Sequence, residues 1–225
     1  MFVLIKRYIA PVSFIALGIF VLSGCGFADK DVKKIYGYLE KSANIEQNLN
    51  DMQKVLINNQ KKENNIYNKI LNLKLGDGNQ IESLSNQADK LNDKCEEILK
   101  EEKKMIDRSY EYYKKAEPLL NHLDKDDLKA KADNVSKTAS RRYEMFGRLY
   151  RAYIDNINLN KNLYTLLHEK NLDQSAYKNQ IDEINKKSEE ISKLRDTFNH
   201  YTTAYNEAKI QLYNAGHLNV KYDDQ

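Results

Sequence analysis

The chain has no tryptophan, two prolines, two cysteines and eight glycines in 225 residues. So few punctuating glycines and prolines exclude a sandwich or barrel of many short strands, which needs a turn every few residues. After residue 22 no apolar run approaches the roughly 20 residues that a membrane-spanning helix requires. One-sided charge is also missing: 36 Lys and Arg stand against 33 Asp and Glu. That balance argues against a dedicated polyanion binder, nucleic acid included. The four histidines, His122, His168, His200 and His217, have no second histidine three or four residues away on a shared face, so no metal centre is expected. H-E-x-x-H, C-x-x-C, G-x-S-x-G and the P-loop pattern are all absent. Acidic pairs such as Glu96-Glu97 and Glu189-Glu190 are interleaved with lysines at helical spacing and read as solvated faces. No active site, cofactor or metal is expected, and the chain reads as non-enzymatic.

What is present begins at the N-terminus. Lys6 and Arg7 precede an apolar run over residues 9–21 that only Ser13 interrupts, and no acidic residue occurs before Asp29. That run has the length of a signal-peptide core. Leu22, Ser23, Gly24 and Cys25 follow in the order of a lipobox. Small residues let the peptide lie extended in a peptidase cleft, and the cysteine thiolate takes the lipid. Residues 1–24 are thus expected to be a cleaved lipoprotein signal peptide. Residues 25–28 form the lipid anchor and short tether, 29–216 a helical bundle, and 217–225 a loosely held polar tail. A covalent diacylglycerol on Cys25 is the only non-protein group expected. The competing reading is an uncleaved N-terminal anchor. Under either, the remainder lies outside the cytoplasm, held to the outer face of the cytoplasmic membrane in the membrane–wall space. Cleavage before Cys25 leaves 201 residues with 34 basic against 33 acidic side chains.

With Cys25 lipidated, Cys95 has no disulfide partner in the chain. It falls in the series Ile81, Leu84, Ala88, Leu91, Cys95, Ile98 and is expected to be a small buried hydrophobe. Similar stripes at steps of three and four run through nearly everything after residue 29. The first passes through Ile35, Leu39, Leu49, Met52, Leu56, Ile66, Ile70 and Leu73. The second runs from Ile81 to Leu120 through Met105 and Tyr112, with Pro118 expected to kink or end it. The third contains Leu128, Val135, Phe146, Tyr153, Leu163 and Leu167. The fourth contains Tyr177, Ile184, Ile191, Phe198, Tyr205 and Leu212. Four helices of about 40 residues, each about 60 Å long and joined by short turns, predict an all-α, elongated up-down-up-down four-helix bundle with coiled-coil-like packing. Three long helices are the alternative. Asn59, Glu63, Arg142, Asn156 and Asn160 interrupt the apolar stripes and are read as register-fixing residues, or as the lining of a polar interior site.

One stretch concentrates basic and aromatic side chains. Four of the six arginines after residue 25, namely Arg141, Arg142, Arg148 and Arg151, lie with Tyr143 and Tyr150 within eleven residues. Guanidinium groups among aromatic rings can hold an anionic polymer or a sugar by charge pairing and stacking. The competing reading pairs Arg148 and Arg151 with Glu96, Glu97 and Glu101 of the neighbouring helix. Tyr110, Tyr112 and Tyr113 form a second aromatic cluster, with Tyr201, Tyr205 and Tyr213 expected close by.

The lipobox, the immediate helix start, the four-stripe architecture and this Arg/Tyr stretch together resemble the cell-wall-binding lipoproteins of Gram-positive bacteria, the YkyA-type family. The resemblance covers essentially the whole chain. It implies a helical bundle, membrane attachment and association with peptidoglycan or teichoic acid, and it carries over no catalytic residue. The alternative function is a helical protein-interaction scaffold or activator for a wall enzyme or membrane transporter.

Overall fold

A computed structural model of the chain describes residues 12, 19–21, 29–73, 77–169, 172–218 and 220–222. The expectations at Leu22, Ser23, Gly24 and Cys25 lie outside these residues. The fold is an all-α helical bundle. Its helices are α1 (Lys30–Ile45), α2 (Leu49–Leu71), α3 (Gly78–Asn121), α4 (Asp126–Leu167) and α5 (Gln174–Ala215). A short antiparallel pair joins β1 (Ile19–Val21) to β2 (Val220–Tyr222), with Ile19 opposite Tyr222. Because β1 falls in the segment read as a signal peptide, this pair can exist only while residues 1–24 remain attached.

Two differences from the sequence reading have local causes. The first long helix is split: Glu46 ends α1 with its N–H bonded to the Ala43 and Asn44 carbonyls, and α2 starts at Leu49. The Glu46 side chain turns inward at this break. Pro118 does not end α3, which continues to Asn121. It sits in the last turn, so its missing donor removes one backbone bond and little helix follows.

The described chain packs as two compact units, one built from residues 51–102 and 148–195, the other from 12–50, 103–147 and 196–225. In the first, Tyr67, Ile70, Ile81, Ala88, Leu163, Tyr164, Tyr177, Ile181 and Ile184 form the apolar core. The Tyr67 and Tyr177 hydroxyls meet at 2.6 Å. Asp173 caps α5, its carboxylate accepting from the Ser175 and Ala176 amides at 2.8 and 3.3 Å.

In the second unit Val32, Ile35, Leu39, Tyr113, Leu120, Leu123, Leu128, Val135, Leu212 and Tyr213 are packed together. Asp29 caps α1 by accepting from the Asp31 and Val32 amides. Its N–H donates to Gly216 O at 3.1 Å, and its carboxylate receives Lys125 at 2.9 Å. The start of α1, the α3–α4 turn and the end of α5 therefore meet here, as antiparallel neighbours require. The bond to Lys125 also lowers the Asp29 pKa.

The C-terminal end of α5 is closed by backbone bonds from His217 and Leu218. Leu218 N–H reaches Tyr213 O at 2.9 Å and His217 N–H reaches Asn214 O at 3.0 Å, the bonding of a Schellman cap. Leu218 is buried with Val32 and Tyr213. A Cβ on Gly216 would lie 2.5 Å from the Val32 side chain, so the chain crosses α1 where only glycine fits. His217 carries the left-handed residue of the cap, at φ 56. Glycine takes that conformation without the strain an L side chain suffers. His217→Gly is expected to raise stability by about 1 kcal/mol, read as a higher urea midpoint at unchanged slope. A lower midpoint would show that the imidazole itself holds the cap.

Candidate functional site

The six candidate residues for wall-polymer contact are divided between the two units, Arg141, Arg142 and Tyr143 in one and Arg148, Tyr150 and Arg151 in the other. Arg142 is 8% exposed and belongs to the interior. Its two terminal nitrogens donate to the two Glu46 oxygens at 3.0 and 2.5 Å, and its Nε donates to Thr202 Oγ1 at 3.1 Å. The guanidinium also lies 5.2 Å from the Phe198 ring centre. This corrects the wall-polymer assignment of Arg142: its donors are consumed by a buried carboxylate, and the register role is the one its position supports. Tyr143 is half-buried in the same unit. Its ring stacks on Tyr110 at 3.9 Å and its hydroxyl donates to Asp107 at 2.9 Å. Burial and the adjacent Asp107 carboxylate push its pKa up to about 12. Arg141 is exposed and pairs with Glu144 at 3.0 Å on its own helix. Tyr110 also stacks near Tyr113, and Tyr36 meets Tyr213 edge-on at 5.1 Å.

The other unit brings the remaining three candidates together. Arg148, Tyr150 and Arg151 line a surface cleft of about 340 Å³ with Asp155 and Glu190. Both arginines are exposed and Tyr150 is half-buried. Lys187 bridges the two carboxylates, at 3.3 Å from Asp155 and 2.8 Å from Glu190. The hydrogen bond to Glu190 is the main reason its pKa is raised, so it stays protonated. Two arginines and one aromatic ring thus line the cleft together with two carboxylates that Lys187 already pairs with. The sequence reading missed Lys187, Asp155 and Glu190. Only the Lys187–Glu190 spacing on one helix face hinted at them, and Asp155 joins from α4.

The competing pairing of Arg148 and Arg151 with Glu96 is not what holds that glutamate. Lys161 reaches both Asp93 and Glu96, at 2.7 and 2.8 Å, and Lys100 reaches Glu96 at 2.6 Å. Hydrogen bonds from Lys100 and then Lys161 lower the Glu96 pKa. Among the described residues no group of three His, Cys, Asp or Glu is placed to hold a metal ion, and no helix is long and apolar enough to cross a membrane.

Fold and surface together define a class: an all-helical bundle protein with a cationic, aromatic cleft on an outer face. The family whose description reads "Putative cell-wall binding lipoprotein" matches residues 30–215, and the chain belongs to this YkyA family. The uncharacterized lipoprotein YkyA of Bacillus subtilis is 34% identical over 201 residues, which cover 89% of this chain and 90% of that protein. A crystal structure of a conserved protein of unknown function from Staphylococcus aureus has the same fold. It superimposes with a TM-score of 0.66 at 18% identity, over 86% of this chain and 97% of that one.

Proposed function

We propose that the mature protein is a non-enzymatic wall-associating lipoprotein. Cys25 anchors it on the outer face of the cytoplasmic membrane, and the cleft of Arg148, Tyr150 and Arg151 contacts an anionic wall polymer. The observation that carries the reading is the cleft itself. Its two arginines are exposed, whereas Arg142 of the same stretch is buried in the interior. Arginine forks match phosphate geometry, and Tyr150 offers an apolar face for a sugar or glycerol unit. Because Lys187 already neutralises much of Asp155 and Glu190, the cleft presents a net positive charge. Teichoic acid, a phosphate polymer, fits this charge better than uncharged glycan does.

The test is co-sedimentation of the mature protein with purified sacculi, with and without wall teichoic acid, at two salt concentrations. Binding that needs teichoic acid and weakens with salt is expected. Arg148→Ala with Arg151→Ala should weaken it about tenfold or more, at about 1 kcal/mol per cation at an anionic surface. Equal binding by the double variant would remove the cleft from the reading. No retention on sacculi, together with a specific co-purifying membrane protein, would favour the scaffold alternative.

A further inference from the structure

All four helices of the unit built from residues 51–102 and 148–195 contribute polar side chains to one interior layer. Glu63 comes from α2, Asn92 from α3, Asn156 and Asn160 from α4, and Ser188 from α5. They line a cavity with about 40 Å³ of space for the centres of water molecules. Such layers are costly in a bundle core unless every polar atom finds a partner.

Two polar atoms here are left short of partners within the protein. The Asn92 side chain is 5% exposed, and its buried Nδ2 interacts with the Asp89 carboxylate but makes no hydrogen bond to the cavity wall. The Asn156 Oδ1 acceptor is buried and unbonded. A species that accepts from one and donates to the other completes the layer. The rest of the wall is compatible with it. The Glu63 carboxylate accepts from the Tyr164 hydroxyl, and Asn160 Nδ2 is spent on Asn156 O at 2.8 Å. Ile157 and Ile191 close the space with methyl groups.

We infer that this layer is an interior hydration site holding a cluster of about three ordered water molecules, at roughly 10–15 Å³ of such space per water. Water is the only common species that both donates and accepts at this size. The half-buried Gln60 on the cavity wall marks the side from which it exchanges with solvent. The cluster then does what direct side-chain bonds do elsewhere in the core. It ties α3 to α4 at one height and fixes their register. Cys95 forms part of the same wall, so its thiol borders a wet space instead of a dry apolar seam.

Water–methyl cross-relaxation in the full mature protein tests this. The Ile157 and Ile191 methyls should show cross-peaks to water whose NOE and ROE signs report residence longer than a nanosecond. Ile181 and Ile184, packed in the apolar core of the same unit, should show none. Asn156→Leu, which removes the unbonded acceptor and fills the space, should abolish the signals. Cavity methyls as silent as Ile181 and Ile184 would mean a dry cavity and overturn the inference. Signals that persist in a folded Asn156→Leu variant would overturn it as well. So would a melting temperature that depends on whether sodium, potassium or choline is the cation, because it would assign the space to an ion. If the variant does not fold, the wild-type comparison of the four isoleucines decides alone.

Discussion

Replacing Arg142 with methionine is expected to destabilise the protein by about 3–5 kcal/mol, the cost of leaving one charge of a buried ion pair without its partner. Glu46 is 7% exposed, and its other bond is from Ser109 Oγ. One hydroxyl cannot replace a two-pronged guanidinium. Glu46→Met should cost somewhat less, because the stranded guanidinium keeps the Phe198 and Tyr205 rings, 5.2 and 6.0 Å away, as partial counterparts. The double methionine variant should lie within about 1 kcal/mol of wild type. Its surrounding hydroxyls retain partners of their own. Ser42 and Ser109 stay paired at 2.7 Å, and Thr202 still donates to Phe198 O at 3.0 Å. Urea melts of the four proteins give the coupling directly. Single-variant effects that simply add would show that packing, and not the pair, is lost.

This pair also separates folding from binding. Loss of sacculus binding in an Arg142 variant would report a broken core, whereas Arg148 and Arg151 can be removed from an intact one. Lys209 repeats the theme in the same unit. It is 1% exposed, lies 3.4 Å from Glu40 and has the Tyr205 ring 5.5 Å away. Tyr213 donates to the same Glu40 oxygen at 2.9 Å. Two buried cations, Arg142 of α4 and Lys209 of α5, each facing one carboxylate at or near the end of α1, specify which stretches of those helices can lie beside it. A purely apolar seam would tolerate a shift of one heptad.

How far the fold was legible depended on how apolar each stripe is. Along α4 and α5 every stripe residue that the sequence named is buried, from Leu128 to Leu167 and from Tyr177 to Leu212. Along α3 the named stripe was right at Ile81, Ala88, Cys95 and Leu120 and misplaced between them. The buried residues are Ile81, Ser85, Ala88, Asn92, Cys95, Leu99, Glu102, Ile106, Ser109, Tyr113, Ala116 and Leu120, an unbroken alternation of four and three. The reading by hydrophobicity passed through Leu84, Leu91, Ile98, Met105 and Tyr112, which are only half-buried. It went wrong because four true seam positions are polar, and a flanking column of larger apolar residues outweighed them. What licenses two of them comes from elsewhere in the chain: Gln53 for Glu102, and Ser42 with Glu46 for Ser109. One helix's sequence cannot show this. The same blindness put Arg142 on a binding surface, although its place among the stripe-breaking residues was already visible. The cleft needed Lys187 and Glu190 from α5, 36 or more residues beyond the arginines, and no local pattern joins them.

Glu102 supplies the second large effect, a stability that falls as pH rises. It is 1% exposed, and its carboxylate receives only Gln53 Nε2, at 2.9 and 3.0 Å, among the hydrogen bonds identified for it. Burial raises its pKa to about 7, and the Gln53 bond offsets only part of that rise. The folded state therefore holds a proton that the unfolded chain releases near its ordinary 4.5. Such a group contributes fully below pH 4.5, and its contribution disappears as pH climbs to about 7. The size is about 3 kcal/mol, from 1.36 kcal/mol per pKa unit. Asp89, raised chiefly by burial, acts in the same direction; Asp29 and Glu96, lowered by their lysines, act in the opposite one. The wild-type curve alone mixes these, and Glu102→Gln isolates the one in question. An amide in that position can still accept from Gln53 and carries no charge to desolvate. The variant should match wild type near pH 4.5 and exceed it by about 2–3 kcal/mol at pH 8. Parallel stability curves across that range would mean that Glu102 is already solvated or neutralised in the folded protein. The seam position it occupies would then be held by Gln53 pairing alone.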